Sequence, residues 1–491
     1  MIRLKPVCFL SPLLLAVFSM SSCSGPFTST GGGGGTGGGG GTGTGTVSVT
    51  ITDSAPIGVS ILSFKLGLSA IQLNASGGGT FVLTPAQSSF ELTRLQSDSA
   101  LAGVFNNVPV GTYLAASIGL SSADVVFLNQ SGATLGTCTN NSICSVSVLP
   151  ASPVVQSFPN PGVVVSSNQP VGITFDFNLA GAFSLTSGTA SVNFASNVLA
   201  NVLPRQPNSG LPSGALDLIE DFTGTASVSG NNVTVTSGTR GALTAIANSS
   251  TIFDDPQGLC TTANLTCLTS GGTQKTVSVD AALNVDGSLT LLEVDFLDFP
   301  SVDEVEGTVF GTSTPGQFAL ILSDKTIITQ SSPLASAGVG TVLLFTAPTA
   351  TFSVDPKDLP VTVSNPGFAG PSDLVAGQEV MIHVQSATSN AGQISIVTDQ
   401  VRLRFSRITA AVTTVSGNVF SFLNGNLPAY LQQVFPAINP QVQTYQPQTV
   451  FDGATTTADI NGQTVAIRAL FLNPSTSVPP FLAAKVRKEF F

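Results

Sequence analysis

Charged residues are scarce in this chain, and histidine and tryptophan are almost absent. Only 9% of its 491 residues are Asp, Glu, Lys or Arg, and it has one histidine and no tryptophan. The 16 basic residues are outnumbered by 27 acidic residues, which gives a formal net charge of −11. Nucleic-acid-binding proteins need clustered Lys and Arg to neutralise phosphates, so this composition argues against a nucleic-acid partner.

The shortage of histidine also bears on catalysis. Acid–base and nucleophilic mechanisms usually need a histidine, a reactive cysteine or paired carboxylates in a pocket. His383 lies in an alternating segment whose buried face is taken by Val380 and Ile382, so we expect His383 to point to solvent. The sequence has no G-x-S-x-G motif with a histidine to serve it. We therefore expect that the protein is not an enzyme.

Few side chains are suited to stacking on sugars, and no later segment is suited to crossing a membrane as a helix. With no tryptophan and three tyrosines, aromatic platforms are rare, which weakens a glycan-binding hypothesis without excluding it. The longest apolar candidate, residues 101–128, is interrupted by Asn106, Asn107, Pro109 and Asp124. It falls short of the roughly 20 continuous apolar residues that a spanning helix needs.

The first residues indicate export. Arg3 and Lys5 precede an apolar run from residue 7 to 18, the pattern of a secretory signal. Met20-Ser21-Ser22-Cys23 resembles the bacterial lipobox, with Met20 where the family usually has Leu. The resemblance implies a signal peptide at residues 1–22 and a lipid, including palmitate, on Cys23. Ser24 by the same resemblance favours the outer membrane, and the alternative is an ordinary signal peptide.

Residues 23–45 form a linker that is nearly pure Gly and Thr from Gly31 onward. Such a tract cannot bury apolar surface, so we expect a flexible tether between the lipid and the folded body. A phosphate-binding loop is the alternative, but no Lys-Ser/Thr pair follows the glycines.

Four cysteines remain after the first two, in two close pairs. Cys138 and Cys144 form one pair, and Cys260 and Cys267 form the other. Four cysteines allow three pairings, and the short separations favour a local disulfide within each pair. A zinc site is the alternative, but the spacing is not C-x-x-C and histidine ligands are lacking.

The body predicts an all-β fold. Val47, Val49 and Ile51 alternate with polar residues, the period of a half-buried strand, and similar short segments recur between turn signals. The segments beginning at Thr46 (TVSVTITDSAP), Val108 (VPVGTY) and Ile173 (ITFDF) resemble the bacterial domain-of-unknown-function family numbered 4382. This resemblance covers about residues 46–203 and implies an Ig-like or transthyretin-like β-sandwich without a known activity.

The remainder contains repeats. Residues 250–254 (STIFD) recur at 448–452 (QTVFD), and 377–384 (GQEVMIHV) resemble 462–468 (GQTVAIR). We predict three units at 217–298, 302–405 and 406–491, arranged like beads on a string, each with its own small core. The pattern resembles an uncharacterised family numbered 5666, which implies small OB-like β-barrels.

An acidic stretch lies at the junction of the first two units. Glu293, Asp295, Asp298 and Asp303 supply oxygen ligands of the kind that calcium prefers. The spacing fits no defined calcium loop, so the alternative is a solvated linker, with Glu293 and Asp295 facing outward from a strand. Calcium is the one cofactor that the sequence raises, and otherwise none is expected.

Together these features predict a lipid-anchored protein of the bacterial cell envelope, facing the periplasm or the cell surface. We expect a structural, adhesive or scaffolding role, with the membrane as one partner and a protein or glycan at the surface as another. The alternative function is a surface module that binds a glycan or calcium.

Overall fold

The computed structural model describes most of the chain beyond the predicted linker. The described residues are 43–54, 60–167, 169–186, 189–254, 260–261, 264–272, 275–297, 302–312, 314–329, 331–357, 359–360, 367–436, 438–475, 477 and 479–489. The predicted signal peptide, Cys23 and most of the linker lie outside them, as does Asp298. None of the helices in the described ranges is long and apolar enough to cross a membrane.

The predicted all-β fold is confirmed. Helices are short in the described ranges: α1 (Leu179–Ala182), α2 (Ala429–Val434) and the 3₁₀ turns Leu92–Leu95, Leu265–Gly272, Pro333–Ser336, Pro371–Asp373, Asn424–Asn426 and Thr457–Ile460. Strands make up the rest of the regular structure, as the alternating Val, Ile, Thr and Phe residues predict.

The N-terminal part, here called the sandwich, contains thirteen strands. They are β1 (Thr44–Ser54), β2 (Ile61–Ala75), β3 (Thr80–Leu83), β4 (Ser89–Glu91), β5 (Ala100–Pro109), β6 (Gly111–Leu128), β7 (Ile143–Val148), β8 (Val154–Ser157), β9 (Val163–Val165), β10 (Val171–Asn178), β11 (Phe183–Thr186), β12 (Thr189–Val192) and β13 (Val198–Leu203). One sheet has the order β13-β10-β1-β5, and the other follows β3-β2-β6-β7 with β4, β8 and β9 at its sides. The inner faces share one core that includes Val49, Phe64 and Phe175.

Three barrel units follow, each with six strands. The first barrel comprises β14 (Ala215–Ser229), β15 (Asn232–Ser237), β16 (Gly241–Ile246), β17 (Ile252–Asp254), β18 (Thr276–Asn284) and β19 (Leu289–Phe296). The second comprises β20 (Asp303–Gly311), β21 (Gln317–Thr326), β22 (Val342–Thr346), β23 (Thr351–Val354), β24 (Glu379–Asn390) and β25 (Gln393–Leu403). The third comprises β26 (Phe405–Ser416), β27 (Val419–Phe422), β28 (Gln441–Thr444), β29 (Val450–Asp452), β30 (Thr464–Phe471) and β31 (Phe481–Lys488).

The three barrels have one topology. In each, strands three-two-one-five-six pair in that order, and a parallel pairing of the third strand with the sixth closes the ring. The closure is a ladder in the second barrel (β22 with β25) and the third (β28 with β31), but a single residue pair in the first. The remaining short strand pairs in parallel with the sixth from outside the ring. This order of five strands is that of an OB-type barrel.

The sequence repeats lie at equivalent places in these barrels. Residues 250–254 and 448–452 lead into β17 and β29, the outer parallel strands. Thr251 donates its hydroxyl hydrogen to the carbonyl of Leu291 at 2.8 Å, and Thr449 donates in the same way to Ala483 at 2.7 Å. The repeated threonine therefore fixes the outer strand onto the last strand of its barrel in both units.

The arrangement of the units differs from beads on a string. The sandwich and each barrel do have their own cores, as predicted. However, all of the described residues belong to one compact unit. The polar face of β1, predicted to be exposed, is buried at Ser48, Thr50 and Thr52 because the barrels cover it. Alternation predicted the apolar face of this strand but could not show what covers its other face.

Candidate functional site

A buried group of charged side chains lies where the four units meet, and a β-bulge begins it. The pairing of β14 with β18 shifts register between Ile219 and Phe222. Bulges of this kind turn side chains away from the regular alternation. Asp221, within the bulge, has φ of 51°, a left-handed conformation that Asp tolerates better than most residues. The bulge places the Asp221 carboxylate among the units, where it is 2% exposed.

Four cations from two other barrels surround Asp221. Lys357 Nζ is 2.7 Å from its carboxylate and Arg407 Nη2 is 3.1 Å from it. Arg404 and Arg468 approach to 3.3 and 3.5 Å. Burial alone would raise the pKa of Asp221, but these cations hold it well below its usual range. The carboxylate is therefore charged at any ordinary pH.

We call the connected ion pairs around Asp221 the central ion cluster. Its members are Asp98, Glu220, Asp221, Asp280, Asp295, Asp355, Lys357, Arg404, Arg407, Arg468 and Lys485. The sandwich contributes Asp98, and the remaining members come from the three barrels. Six carboxylates face five cations, so the cluster is close to neutral although it is buried.

The six carboxylates of the cluster outnumber its five cations, and Asp295 is a carboxyl that stays protonated over part of the pH range. Lys357 Nζ contacts three carboxylates, those of Asp221, Asp280 at 3.1 Å and Asp295 at 3.2 Å. One ammonium cannot neutralise three carboxylates. Burial, opposed by Lys357, raises the pKa of Asp295 to about 7. Asp295 therefore holds its proton below about that pH.

The first and third barrels carry opposite charges at equivalent positions. In the first barrel Asp280 pairs across the sheet with Glu293, and Ser278 pairs with Asp295. In the third barrel, Arg468 pairs with Lys485, and Ala466 with Arg487. The positions of Asp280, Glu293 and Asp295 in the first barrel are thus occupied in the third barrel by Arg468, Lys485 and Arg487. The corresponding residues of the second barrel, His383, Gln400 and Arg402, are intermediate in charge. The acidic barrel and the basic barrel then meet, with Arg468 2.8 Å from Glu220.

Further buried contacts bind the sandwich to the barrels. Arg94 lies in the 3₁₀ turn after β4 and reaches Glu306 at 2.9 Å and Glu379 at 3.6 Å in the second barrel. Arg487, on the last strand of the third barrel, donates to the hydroxyls of Thr52 and Ser99 in the sandwich. The polar face of β1 is thus a docking face for the C-terminal strand.

The consequence is a surface with little charge. Among the described charged residues, those whose side chains are exposed are Asp254, Asp286 and Asp459, and the rest are buried or partly buried. This reverses the usual distribution, in which Lys, Glu, Arg and Asp are almost never fully buried unless paired. Many of the described charges form contacts between units, such as Arg94 with Glu306 and Arg468 with Glu220.

A cleft opens beside the central ion cluster, between the sandwich and the first barrel. Its volume is about 350 Å³. Leu101, Phe222 and Leu243 form an apolar wall, and the cluster members Asp98, Glu220 and Arg407 line the cleft together with Arg94. Arg240 lines the cleft with its guanidinium carbon 4.7 Å from the centre of the Phe222 ring. We call this feature the sandwich–barrel cleft.

The predicted disulfides are confirmed. Cys138 is bonded to Cys144, with Cα atoms 5.9 Å apart, and Cys260 to Cys267, with Cα atoms 5.3 Å apart. Both bridges are local and close short loops. Cys23, the predicted lipidation site, lies outside the described residues.

The residues proposed as calcium ligands lie in surroundings that differ from those that the sequence predicted. Glu293 and Asp295 were expected to face outward, yet both are buried, 5% and 3% exposed, because this face of β19 packs against the other units. Asp303 belongs to β20 rather than to a linker, and its carboxylate accepts hydrogen bonds from the backbone N–H groups of Ile328 and Thr329. Asp298 lies outside the described ranges. Within those ranges, no three His, Cys, Asp or Glu side chains are grouped to hold a metal ion.

The prediction for His383 is also wrong. Its side chain is 12% exposed rather than solvent-facing, and its Nδ1 is 2.5 Å from the carboxylate of Asp399. His383 lies at the position that Asp280 and Arg468 occupy in the other barrels. That position faces the neighbouring units, which explains its burial.

The central ion cluster could not be predicted from local sequence patterns. Contacts such as Arg407 with Asp98 join residues 309 positions apart, and no local pattern reveals them. One signal was present: Asp280 and Arg468 stand at the same place in aligned repeats with opposite charge. In a chain with so few charged residues, this reversal indicates that the repeats contact each other.

The comparisons with known proteins give no identification. No protein-family model matches the chain, and no curated protein is similar enough to it to be matched. The resemblances to the families numbered 4382 and 5666 stay predictions.

Proposed function

We propose that this chain is a lipid-anchored protein of the bacterial cell envelope with a structural, adhesive or scaffolding role and no catalytic activity. The observation that carries the proposal is the central ion cluster, which joins the sandwich and three barrels by buried ion pairs. A body locked in this way holds its faces at fixed positions, as a scaffold or adhesin requires. The lipobox-like residues around Cys23 and the Gly/Thr linker support its attachment to a membrane.

The state of the ionisable groups supports a role without catalysis. The buried acids and bases of the cluster contact one another across the junctions between units. A structural network of ion pairs also shifts pKa values, so the shifts of these groups need no catalytic explanation. The glycan- or calcium-binding alternative has less support, because Asp295 contacts Lys357 and Asp303 binds backbone N–H groups.

Lipid attachment is tested by labelling with radioactive palmitate in cells that express the full chain. We expect label on the wild type and on the Cys8→Ser control, whose cysteine lies in the predicted signal peptide, and no label on Cys23→Ser. If Cys23→Ser stayed as firmly with membranes as the wild type, the lipoprotein proposal would be wrong.

Protease treatment of intact cells then separates two forms of the role. Loss of the wild-type body would place it outside the cell and favour adhesion. Protection until the outer membrane is broken would place it in the periplasm and favour scaffolding of the envelope.

The locked body is tested by limited proteolysis of the purified protein. We expect early cleavage in the Gly/Thr linker and slow cleavage at the junctions between barrels, near residues 298–302 and 404. If the first cuts separated the barrels as stable fragments, the units would be independent and a rigid scaffold would be excluded.

A further inference from the structure

The sandwich–barrel cleft has the size and lining of a small-molecule site. Its volume of about 350 Å³ lies within the range of roughly 300–1,000 Å³ that is usual for ligand pockets. Such pockets combine an apolar wall with a few placed polar groups. Here Leu101, Phe222 and Leu243 supply apolar surface, and the hydroxyl-bearing residues Ser88 and Ser89 also line the cleft.

Arg240 supplies the polar anchor. Its Nε donates to Asp324 at 3.1 Å and its Nη2 donates to the carbonyl of Asp221 at 2.6 Å. These bonds and the Phe222 ring hold the guanidinium in one place. Its Nη1 makes no hydrogen bond among the described residues, and the side chain is 18% exposed. A fixed guanidinium with a nitrogen left over is suited to an oxygen acceptor.

A second arginine of the lining also keeps an unused donor. Arg94, 5% exposed, uses Nη1 for Ser323 and Nη2 for Glu306, whereas its buried Nε–H has no partner among the described residues. A buried donor without a partner is costly and unusual in a folded protein. The unused groups of Arg240 and Arg94 are both donors, which matches an acceptor-rich ligand head group.

The charges of the lining disfavour a ligand with more than one negative charge. Three cations and three carboxylates contribute to the cleft: Arg94, Arg240, Arg407, Glu91, Asp98 and Glu220. A dianion such as phosphate would upset this balance, whereas a single carboxylate bound at Arg240 would need little compensation. The apolar wall at Phe222 would accept a short hydrocarbon chain attached to that carboxylate.

We propose that the sandwich–barrel cleft binds a small monocarboxylate with an apolar tail, its carboxylate on Arg240 and its tail along Phe222 and Leu243. This site goes beyond the proposed envelope role and does not depend on lipid attachment. A scaffold that captures such a molecule would combine a structural and a binding function.

Isothermal titration of the purified protein at low salt tests the site, with butanoate, pentanoate and hexanoate as probes and hexanamide as the uncharged comparison. We expect saturable binding that strengthens about fourfold with each added methylene, as burial of apolar surface requires. Hexanamide should bind at least tenfold more weakly than hexanoate. Equal binding of the two, or no saturable binding of any probe, would overturn the proposal.

Two variants locate the binding. Arg240→Met should weaken hexanoate binding at least tenfold, but it also removes the ion pair with Asp324. Ala242→Trp fills the cleft from an exposed position of β16 and leaves every charge in place, so it should abolish binding without unfolding the protein. Ile246→Trp, also exposed on β16 but outside the cleft lining, is the matched control and should bind normally. If Ala242→Trp bound hexanoate as tightly as Ile246→Trp does, the ligand would not occupy this cleft.

Discussion

Replacing Asp221 by Asn tests whether the central ion cluster holds the units together. Asn matches Asp in shape and also tolerates the left-handed φ of 51° at this position, so the backbone should be unaffected. The change removes the charge that Lys357, Arg404, Arg407 and Arg468 share. Each of these cations keeps one other carboxylate at least, for example Asp98 for Arg407, so the cluster is weakened rather than emptied.

We expect Asp221→Asn to lower the free energy of unfolding by about 3–5 kcal/mol, the usual cost of breaking a buried ion pair. Equilibrium denaturation in urea, followed by far-UV circular dichroism, measures it, since the chain has no tryptophan for fluorescence. Asp286→Asn is the control because Asp286 lies in an exposed turn, and it should change stability by less than about 0.5 kcal/mol. Equal, small effects of both variants would refute the idea that the cluster locks the units.

Three more variants test other features of the fold. Burial raises the pKa of Glu304 to about 8 from an ordinary value of 4.5, so the folded protein holds a proton there that the unfolded chain releases. Glu304 should therefore make stability fall by roughly 1.4 kcal/mol per pH unit from about pH 5 to 8. Glu304→Gln should remove this contribution in melts at pH 5, 7 and 9 and leave the part below about pH 7 that comes from Asp295. Replacing both Cys138 and Cys144 by Ser should lower stability by about 2 kcal/mol on the chain-entropy estimate for so short a loop, and a reductant should then have less effect on the variant than on the wild type. Phe481→Ala removes a fully buried ring that packs on three other Phe rings in the third barrel and should cost about 3–5 kcal/mol in the same urea assay; a loss below 1 kcal/mol would contradict the described core.

Much of the fold could be predicted from local pattern. Strand alternation, turn residues and the recurring Thr-Ile-Phe-Asp and Thr-Val-Phe-Asp segments are short-range features, and they predicted an all-β chain with repeated units. That these units are barrels was implied by the resemblance to the family numbered 5666. The close cysteine pairs predicted local disulfides for the same reason. Packing between units depends on residues far apart in the sequence. The alternation in β1 indicates only that one face of the strand is apolar and the other is polar. It could not tell that Thr50 and Thr52 are buried against other units.

The site was harder to predict, because an acidic residue is normally expected to face solvent and these acidic residues are buried. Glu293 and Asp295 fit an outward face of a strand, since carboxylates are usually solvated. Both are buried, and Asp295 lies against Lys357, a cation from the second barrel that no local pattern connects to it. The bulge at Asp221 left no clear signal in sequence either. The repeats contained the useful information, but only when the charges at aligned positions are compared.

The reversal of charge between the first and third barrels is best explained by a role in selecting the order in which the barrels pack. Buried ion pairs are often no more stabilising than apolar contacts of the same size, because desolvation offsets the attraction. Three barrels of one topology, however, present similar apolar edges and could pack in the wrong order. With Asp280 and Arg468 at equivalent positions, an exchange of the two barrels would bury like charges together, for example Arg468 beside Lys357. An unpaired buried charge costs several kcal/mol, so only one arrangement pairs every member of the cluster. The scarce charges of this chain therefore select one order among similar units, more than they add to its stability.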